Sequence, residues 1–447
     1  MKIIVIGGGK VGTVLCEQLV KEGHNIVLVD QNAEVVETVL NSADINAIVG
    51  NGVSGEILAE AGVKDAELAI ACTPSDEQNI LCCMIAKKLG VKQTIARVRN
   101  PEYFNLFISQ DLGLNMLVNP EYQAAEEIAQ IVDFPYANKV ASLGDDVKLI
   151  EYTIPANSEF SGVVLKDIAS KFNSRVLVST VIRDGVTYVP KGDFVLEQGD
   201  KCCITADEDE LYKLFRNAGI SAGRTRNVFL LGGSRVAFYL ASNLAKHYNV
   251  TIIEKDHQVC QRLADTLKSN VKIINANGFN QRSLKNENLD IADVVVALSD
   301  DEENNILISM FVHSLGQKVI IKVDKSEYIP MLENVGINRI VSPKHLTANE
   351  ITKFVRGMKS GRGGSVCSVY SMLKNEAEFV EFEVGKDFRY EGVMLKDIKL
   401  QPNTIIVSIT HNEKTVVPNG LNTIKKGDHV VVATLIKGVT SLNEILG

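Results

Sequence analysis

Gly7, Gly9 and Gly12 form a GxGxxG series between the apolar strand IIVI and an amphipathic helix, and Asp30 closes the strand that follows. In that context the motif suits the diphosphate of a dinucleotide. Gly7 permits a tight turn, Gly9 lets the backbone approach a pyrophosphate, and Gly12 lets helix and strand pack closely. The free N–H groups of the helix N-terminus then attract the anion. Asp30 is expected to accept hydrogen bonds from adenosine ribose hydroxyls and to repel a 2′-phosphate, so NADP should bind poorly. The same carboxylate would accept the ribose of ATP or ADP, so the motif selects the adenosine half and says little about nicotinamide.

A second, altered copy begins at Val228, where VFLLGGSRVA repeats IIVIGGGKVG from Ile3. Gly232 and Gly233 are kept, Ser234 replaces the second motif glycine, Ala237 replaces the third, and Glu254 stands where Asp30 stood. Ser234 carries a Cβ toward the pyrophosphate position, and Arg235 offers a phosphate partner, so a weaker or differently selective site is expected. Two further segments correspond: Thr73 to Asn79 (TPSDEQN) and Ser299 to Asn305 (SDDEENN). Both read as loops leaving a strand and entering a helix, with Ser75/Gln78 and Ser299/Glu302 spaced as capping boxes. Their carboxylates read as solvated helix starts, and Thr73 and Ser299 as ligand contacts at strand ends.

No constellation for catalysis or metal binding accompanies these motifs. His24, His247, His257, His313, His345, His411 and His429 lie at element edges without an acidic partner at meaningful spacing, whereas a dehydrogenase needs an acid/base beside the nicotinamide. The eight cysteines, including the adjacent pairs Cys82/Cys83 and Cys202/Cys203, lack zinc-binding spacing and read as buried reduced thiols.

The elements that must position these groups repeat as well. From Ile3 to about Pro120 short apolar strands alternate with helices such as Val11 to Glu22, which predicts a parallel sheet wrapped on both faces. After Pro135 the strands VKLIEYTI, RVLVSTVIRDGVTYV and KCCITAD follow, with Asp184-Gly185 at a hairpin turn. Gly162-Val163 and Leu165 to Ile168 return as Gly392-Val393 and Leu395 to Ile398. The expected fold is α/β: two Rossmann-like doubly wound parallel-sheet domains, each followed by a small α+β domain. The expected boundaries are 1–121, 138–222, 226–344 and 364–447. Helices over Glu121 to Val132 and Leu346 to Arg356 connect the units, and Ser360 to Ser365 (SGRGGS) reads as a flexible linker.

Of the 447 residues 45% are hydrophobic and 23% charged, enough apolar material for several separate cores. The net charge of −8 and the absence of basic runs argue against a nucleic-acid partner. No stretch reads as a secretory signal or a bilayer span, so a soluble chain is expected.

The GGGKVG start, Asp30, Gly50-Asn51-Gly52, CTPSDEQN and Ala96-Arg97-Val98, followed by a small α+β unit, resemble the RCK family of regulatory modules, here in tandem as in Trk-type potassium uptake systems. The resemblance implies NAD(H) or ATP/ADP bound without catalysis. It implies a first site of Gly7, Gly8, Gly9, Lys10, Val11, Gly12, Asp30, Asn51, Gly52, Thr73, Pro74 and Arg97. The second would comprise Gly232, Gly233, Ser234, Arg235, Val236, Glu254, Asn277, Gly278 and Ser299. It further implies a ring built by self-association as a homodimer or homotetramer, a crossover helix over Glu121 to Val132, and attachment to the inner face of the cell membrane beside an integral-membrane potassium channel or transporter subunit. An NAD-dependent oxidoreductase, or a regulator of another cation channel or antiporter, stay as alternatives.

Overall fold

The computed structural model describes residues 1–103, 114–220, 225–268, 270–280, 284, 287, 289–359, 365–370, 372–373 and 376–447. Most of the Ser360 to Ser365 segment lies outside the described residues. Two compact bodies form: Met1–Ala125 with Ser342–Phe354, and Glu126–Val341 with Val355–Gly447. Of the three changes of body, two fall inside helices, Pro120–Asp133 and Pro343–Lys359, and one falls between Val341 and Ser342.

The first body is built on a six-stranded parallel sheet of β1 (Lys2–Ile6), β2 (Asn25–Asp30), β3 (Asn46–Val49), β4 (Leu68–Ala71), β5 (Gln93–Arg97) and β6 (Met116–Val118), in the order β3-β2-β1-β4-β5-β6. β1 (KIIVI) and β4 (LAIA) are buried over almost their whole length, because helices cover both faces and a continuous apolar run is the only strand that fits. α1 (Lys10–Lys21), α2 (Ala33–Ser42), α3 (Gly55–Glu60) and α4 (Asp76–Lys88) supply those covers. α1 buries Val11, Val14, Leu15 and Leu19 on one stripe. The opening of helix Pro343–Lys359 belongs to this body: Thr347 donates to Gln123 Oε1 at 3.0 Å, and Gln18 on α1 donates to Asn349 at 3.3 Å.

In the second body a six-stranded sheet repeats the same order, β14-β13-β12-β15-β16-β17. Its strands are β12 (Asn227–Leu231), β13 (Asn249–Glu254), β14 (Val271–Asn275), β15 (Val294–Ala297), β16 (Lys318–Lys322) and β17 (Ile340–Val341). Two antiparallel five-stranded sheets accompany it. One comprises β7 (Lys139–Leu143), β8 (Val147–Thr153), β9 (Leu177–Arg183), β10 (Val186–Tyr188) and β11 (Lys201–Asp207) in the order β10-β9-β11-β8-β7. The other comprises β18 (Ser365–Tyr370), β19 (Glu378–Glu383), β20 (Thr404–His411), β21 (Lys414–Val416) and β22 (His429–Thr434), in the equivalent order β18-β19-β22-β20-β21. The β9–β10 hairpin turns at Asp184 and Gly185, both at positive φ (50° and 78°), as a two-residue turn matching the strand twist requires. The two small sheets share one apolar core, in which Leu143, Val147, Leu149 and Cys203 meet Met372, Phe379, Val407 and Val431.

Seven of the cysteines are buried: Cys16, Cys72, Cys82, Cys83, Cys202, Cys203 and Cys260. Burial pushes the Cys72 thiol up to about 12 and that of Cys82 to about 11, so both stay protonated and act as small apolar groups.

Candidate nucleotide-binding clefts

Strand register assembles the first cleft. Ile6 pairs with Val29 and Ala71, Asp30 with Val49, Ala71 with Ala96, and Arg97 with Val118. The residues that follow these pairs therefore stand side by side at the carboxyl edge: Asn51-Gly52, Asp30, Gly7, Thr73 and Arg97. The strand order reverses between β1 and β4, which makes this edge a topological switch point, the place where open parallel sheets bind ligands.

The glycine loop is shaped by two close approaches. Gly7 has φ +101°, and a Cβ there would lie 2.9 Å from Thr73 N. A Cβ on Gly12 would lie 1.9 Å from the Gly7 carbonyl oxygen, so helix and loop touch backbone to backbone. Gly9 differs, because a Cβ there would meet nothing within 4 Å. It precedes α1 without a side-chain cap, leaving the helix N-terminus open to an anion. Lys10 is exposed beside it and Val11 is buried under it.

Asp30 is anchored before any ligand arrives. Its Oδ2 accepts the Gly8 N–H at 2.7 Å and its Oδ1 accepts the Asn32 N–H at 2.9 Å, leaving further lone pairs for hydroxyl donors. Asn51 is exposed and closes a turn by accepting the Val53 N–H at 3.1 Å, and Gly52 is buried over Ile6.

Sequence reasoning missed the residue that organises the other side. Asn79, fully buried on α4, accepts from the Thr73 N–H and hydroxyl, both at 2.7 Å, and donates to the carbonyls of Thr73 at 3.0 Å and Arg97 at 2.9 Å. All four bonds of the amide are used to tie β4 to β5. Asn305 repeats the device with Ser299 N–H at 3.0 Å, Ser299 hydroxyl at 2.8 Å, Ser299 carbonyl at 3.0 Å and Lys322 carbonyl at 3.2 Å. The identity of Asn79 and Asn305 across the repeat was the available signal. Asn79→Ala is expected to cost about 2 kcal/mol, because it leaves buried backbone groups unpaired. Urea denaturation checks this, and an unchanged midpoint would remove Asn79 from its organising role.

Two expectations about these loops are corrected. Asp76 and Glu302 are not solvated: both are buried, Asp76 accepting the N–H groups of Arg99 and Asn100 at 2.9 and 2.8 Å. Glu302 accepts those of Asp324 and Lys325 at 3.1 and 3.0 Å. Each carboxylate holds the loop leaving the neighbouring strand. Ser75 caps α4 through Gln78 N, but Ser299 does not cap its helix. Asp301 does, accepting the Asn304 N–H at 3.0 Å, while the Ser299 hydroxyl turns to Asn305.

Arg97 closes the first cleft. Its Nη2 donates to the Thr73 carbonyl at 2.8 Å, its Nε is buried with no partner, and among the described residues it forms no ion pair. Burial lowers the guanidinium below its ordinary value, and the nearby carboxylates of Glu121 and Asp76 offset this only in part. Pro74, exposed, follows Thr73 at the lip. The orphaned Nε and the open side of Gly9 both fit a diphosphate bridging the loop and β5.

The second cleft keeps the plan. Gly232 has φ +104° and sits against Ser299 N, and Glu254 accepts Gly233 N at 2.6 Å and Asp256 N at 2.8 Å, so its longer side chain reproduces the Asp30 contacts. Asn277 turns its loop by accepting the Phe279 N–H at 3.0 Å, with Gly278 buried beside it. Val236 is buried and Arg235 exposed. Ser234 caps its own helix, accepting the Ala237 N–H at 3.4 Å. Its effect is thus to occupy a helix N–H as well as to add a Cβ.

The expectation that no histidine has an acidic partner is also overturned. His411 Nδ1 lies 2.5 Å from Asp428 and His429 Nδ1 lies 3.0 Å from Glu381, brought together by antiparallel pairing of β19, β22 and β20. Both pairs sit in the last sheet, not at a glycine loop. Among the described residues no group of three or more His, Cys, Asp or Glu could hold a metal ion.

Comparison with known proteins agrees with this geometry. The TrkA-N domain family matches residues 3–120 and 228–343, and the TrkA-C domain family matches 149–219 and 379–447. A "Trk system potassium uptake protein TrkA homolog 1" of Methanosarcina mazei is 30% identical over 99% of both chains. A TrkA homolog of Archaeoglobus fulgidus is 30% identical over 100% of both, and TrkA of Vibrio alginolyticus is 26% identical over 100% of this chain and 98% of its own. Among solved structures the GsuK channel superposes with a TM-score of 0.62 at 16% identity, covering 98% of this chain and 77% of that one. The GsuK RCK domain gives 0.61 at 16% identity, covering 98% and 93%. With both domain types matched twice and in alternation from end to end, the chain belongs to the TrkA family.

Proposed function

We propose that this chain is a nucleotide-sensing regulatory subunit of potassium transport, which binds NAD(H), ATP or ADP at the carboxyl edges of its parallel sheets without transforming them. The observation that carries the reading is the first cleft itself: an uncapped helix N-terminus, an anchored Asp30 and a half-buried Arg97 with an orphaned Nε and no ion pair among the described residues face one edge. The relatives are named for the Trk potassium uptake system, and one similar structure is the GsuK channel bound to NAD. Among the described residues no helix is long and apolar enough to cross a membrane. On this reading, which the relatives' membership of the Trk system supports, the chain acts from the cytoplasmic face on a TrkH-like membrane subunit and self-associates into a ring of two or four chains.

Such a subunit works by linkage. A nucleotide shifts a gate only through its preference for one conformation, and a tenfold preference supplies about 1.4 kcal/mol per site, multiplied across a ring. A diphosphate drawing the glycine loop toward Arg97 is the differential contact. Calorimetry with NAD, NADH, ATP and ADP tests the reading. Asp30→Ala is expected to weaken all ligands together by about tenfold, through loss of charge-assisted hydrogen bonds to the ribose. Unchanged affinity for every ligand would refute the ribose assignment. Recovery of a potassium-conducting membrane subunit on co-purification from the native cell tests the partner, and a different transporter there would overturn it.

A further inference from the structure

The two clefts differ in charge at the lip, where Pro74 of the first is Asp300 of the second. In the first, Arg97 forms no ion pair among the described residues and Pro74 occupies the lip after Thr73. In the second, Lys322 takes the Arg97 position, pairing with Val341 as Arg97 pairs with Val118. Asp300 takes the Pro74 position after Ser299. Lys322 Nζ lies 3.1 Å from Asp300 Oδ1, with Lys322 12% and Asp300 95% exposed. The strand-end cation thus already has a counter-ion, and a carboxylate stands at the mouth. At the glycine loop the charges match, Glu254 repeating Asp30 and its backbone donors and Arg235 repeating Lys10; in the strand-end loops Asp301, the helix cap, replaces Ser75 and Asp324 replaces Arg99. Ser234 reduces the anion-binding capacity further by taking the Ala237 N–H.

We infer that Asp300 sets the ligand class of the second cleft, which accepts adenosine or AMP and discriminates against diphosphate-bearing ligands such as ADP, ATP and NADH. The inference rests on the nucleotide reading given above. A diphosphate entering there either displaces Asp300 from Lys322 or lies beside an uncompensated carboxylate. At the few ångströms separating these groups, one unit charge in a solvent-screened cleft is worth about tenfold in affinity. In the first cleft the same diphosphate meets a cation that forms no ion pair among the described residues. The duplication therefore produces two sensors that read different charge states of one adenosine scaffold.

Titration of ADP and AMP into the full chain, for wild type and Asp300→Asn, tests this. Asp300 is almost wholly exposed, so the variant retains the fold. Wild type is expected to bind ADP tightly at one cleft and weakly at the other. Asp300→Asn should raise the weaker ADP affinity about tenfold, leave the tighter one unchanged, and alter AMP affinity less than about twofold. Pro74→Asp should lower the tighter ADP affinity about tenfold. Two equivalent ADP sites in wild type, or an Asp300→Asn variant whose weaker ADP site is unmoved or whose AMP and ADP affinities rise equally, would overturn the inference while leaving the nucleotide reading intact. No ADP binding at either cleft would overturn that reading and this inference with it.

Discussion

Replacing Gly12 by Val is expected to destabilise the first nucleotide domain by about 3 kcal/mol and to abolish nucleotide binding in its cleft. A Cβ at this position would stand 1.9 Å from the Gly7 oxygen, 3.0 Å from its carbonyl carbon and 3.2 Å from Cys72 Sγ. The first two are backbone atoms, so the clash is relieved only by lifting α1 off the loop, and the helix N-terminus leaves the diphosphate position with it. Ala237, buried at the matching position of the second copy, shows that one methyl is accommodated once the loop has adjusted. Gly12→Ala should accordingly cost less, about 1 kcal/mol. Urea denaturation followed with and without ADP distinguishes the two variants. A Val variant with unchanged midpoint and unchanged ADP affinity would show that the contact between helix and loop is not what shapes the cleft.

Arg97→Met is expected to act with opposite signs on stability and on binding. The half-buried guanidinium has a buried, orphaned Nε and no ion pair among the described residues, so its desolvation is only partly offset in the free protein, by the Thr73 carbonyl and by more distant carboxylates. An apolar side chain of similar length removes that cost and should leave the free chain more stable by about 1 kcal/mol. ADP affinity at the first cleft should fall about a hundredfold, as charge-assisted hydrogen bonds to a phosphate are lost. At a concentration a hundred times the wild-type Kd, ligand stabilisation would drop from about 2.7 to about 0.4 kcal/mol. Thermal melts with and without ADP read both effects at once. If Arg97→Met destabilised the free protein while preserving the ligand-induced shift, Arg97 would be a structural strut and not an anion receptor.

How far the clefts were legible in the sequence depended on whether a role is local. Gly7, Gly9, Gly12 and Asp30 are spaced along one strand-turn-helix-strand unit, so their roles follow from neighbours in the chain. The hairpin at Asp184-Gly185 is legible for the same reason, since the turn's positive φ values select the residue types. Asn79 was not legible as the tie between β4 and β5, because its four partners come from two strand ends brought together only by parallel pairing. Asp76 and Glu302 look like ordinary helix-start acids until the folded loop after the next strand delivers two N–H groups to each. Ser299 looked like a cap because its spacing to Glu302 satisfied the pattern, yet Asp301 lies closer to the helix and won the position. His411 and Asp428 meet only when β20 and β22 pair.

The duplication, the alternation of parallel-sheet and antiparallel units, and the intact glycine fingerprint beside its altered copy are properties of the sequence alone, since periodicity and motif spacing survive without coordinates. Tertiary structure decided the charge balance of the clefts. Whether Arg97 or Lys322 finds a counter-ion depends on which residue follows a neighbouring strand, Pro74 or Asp300, and strands β4 and β5, or β15 and β16, become neighbours only through sheet pairing. Electrostatic interaction falls with distance in space and ignores distance along the chain, so the feature that most separates the two clefts appears only in the fold.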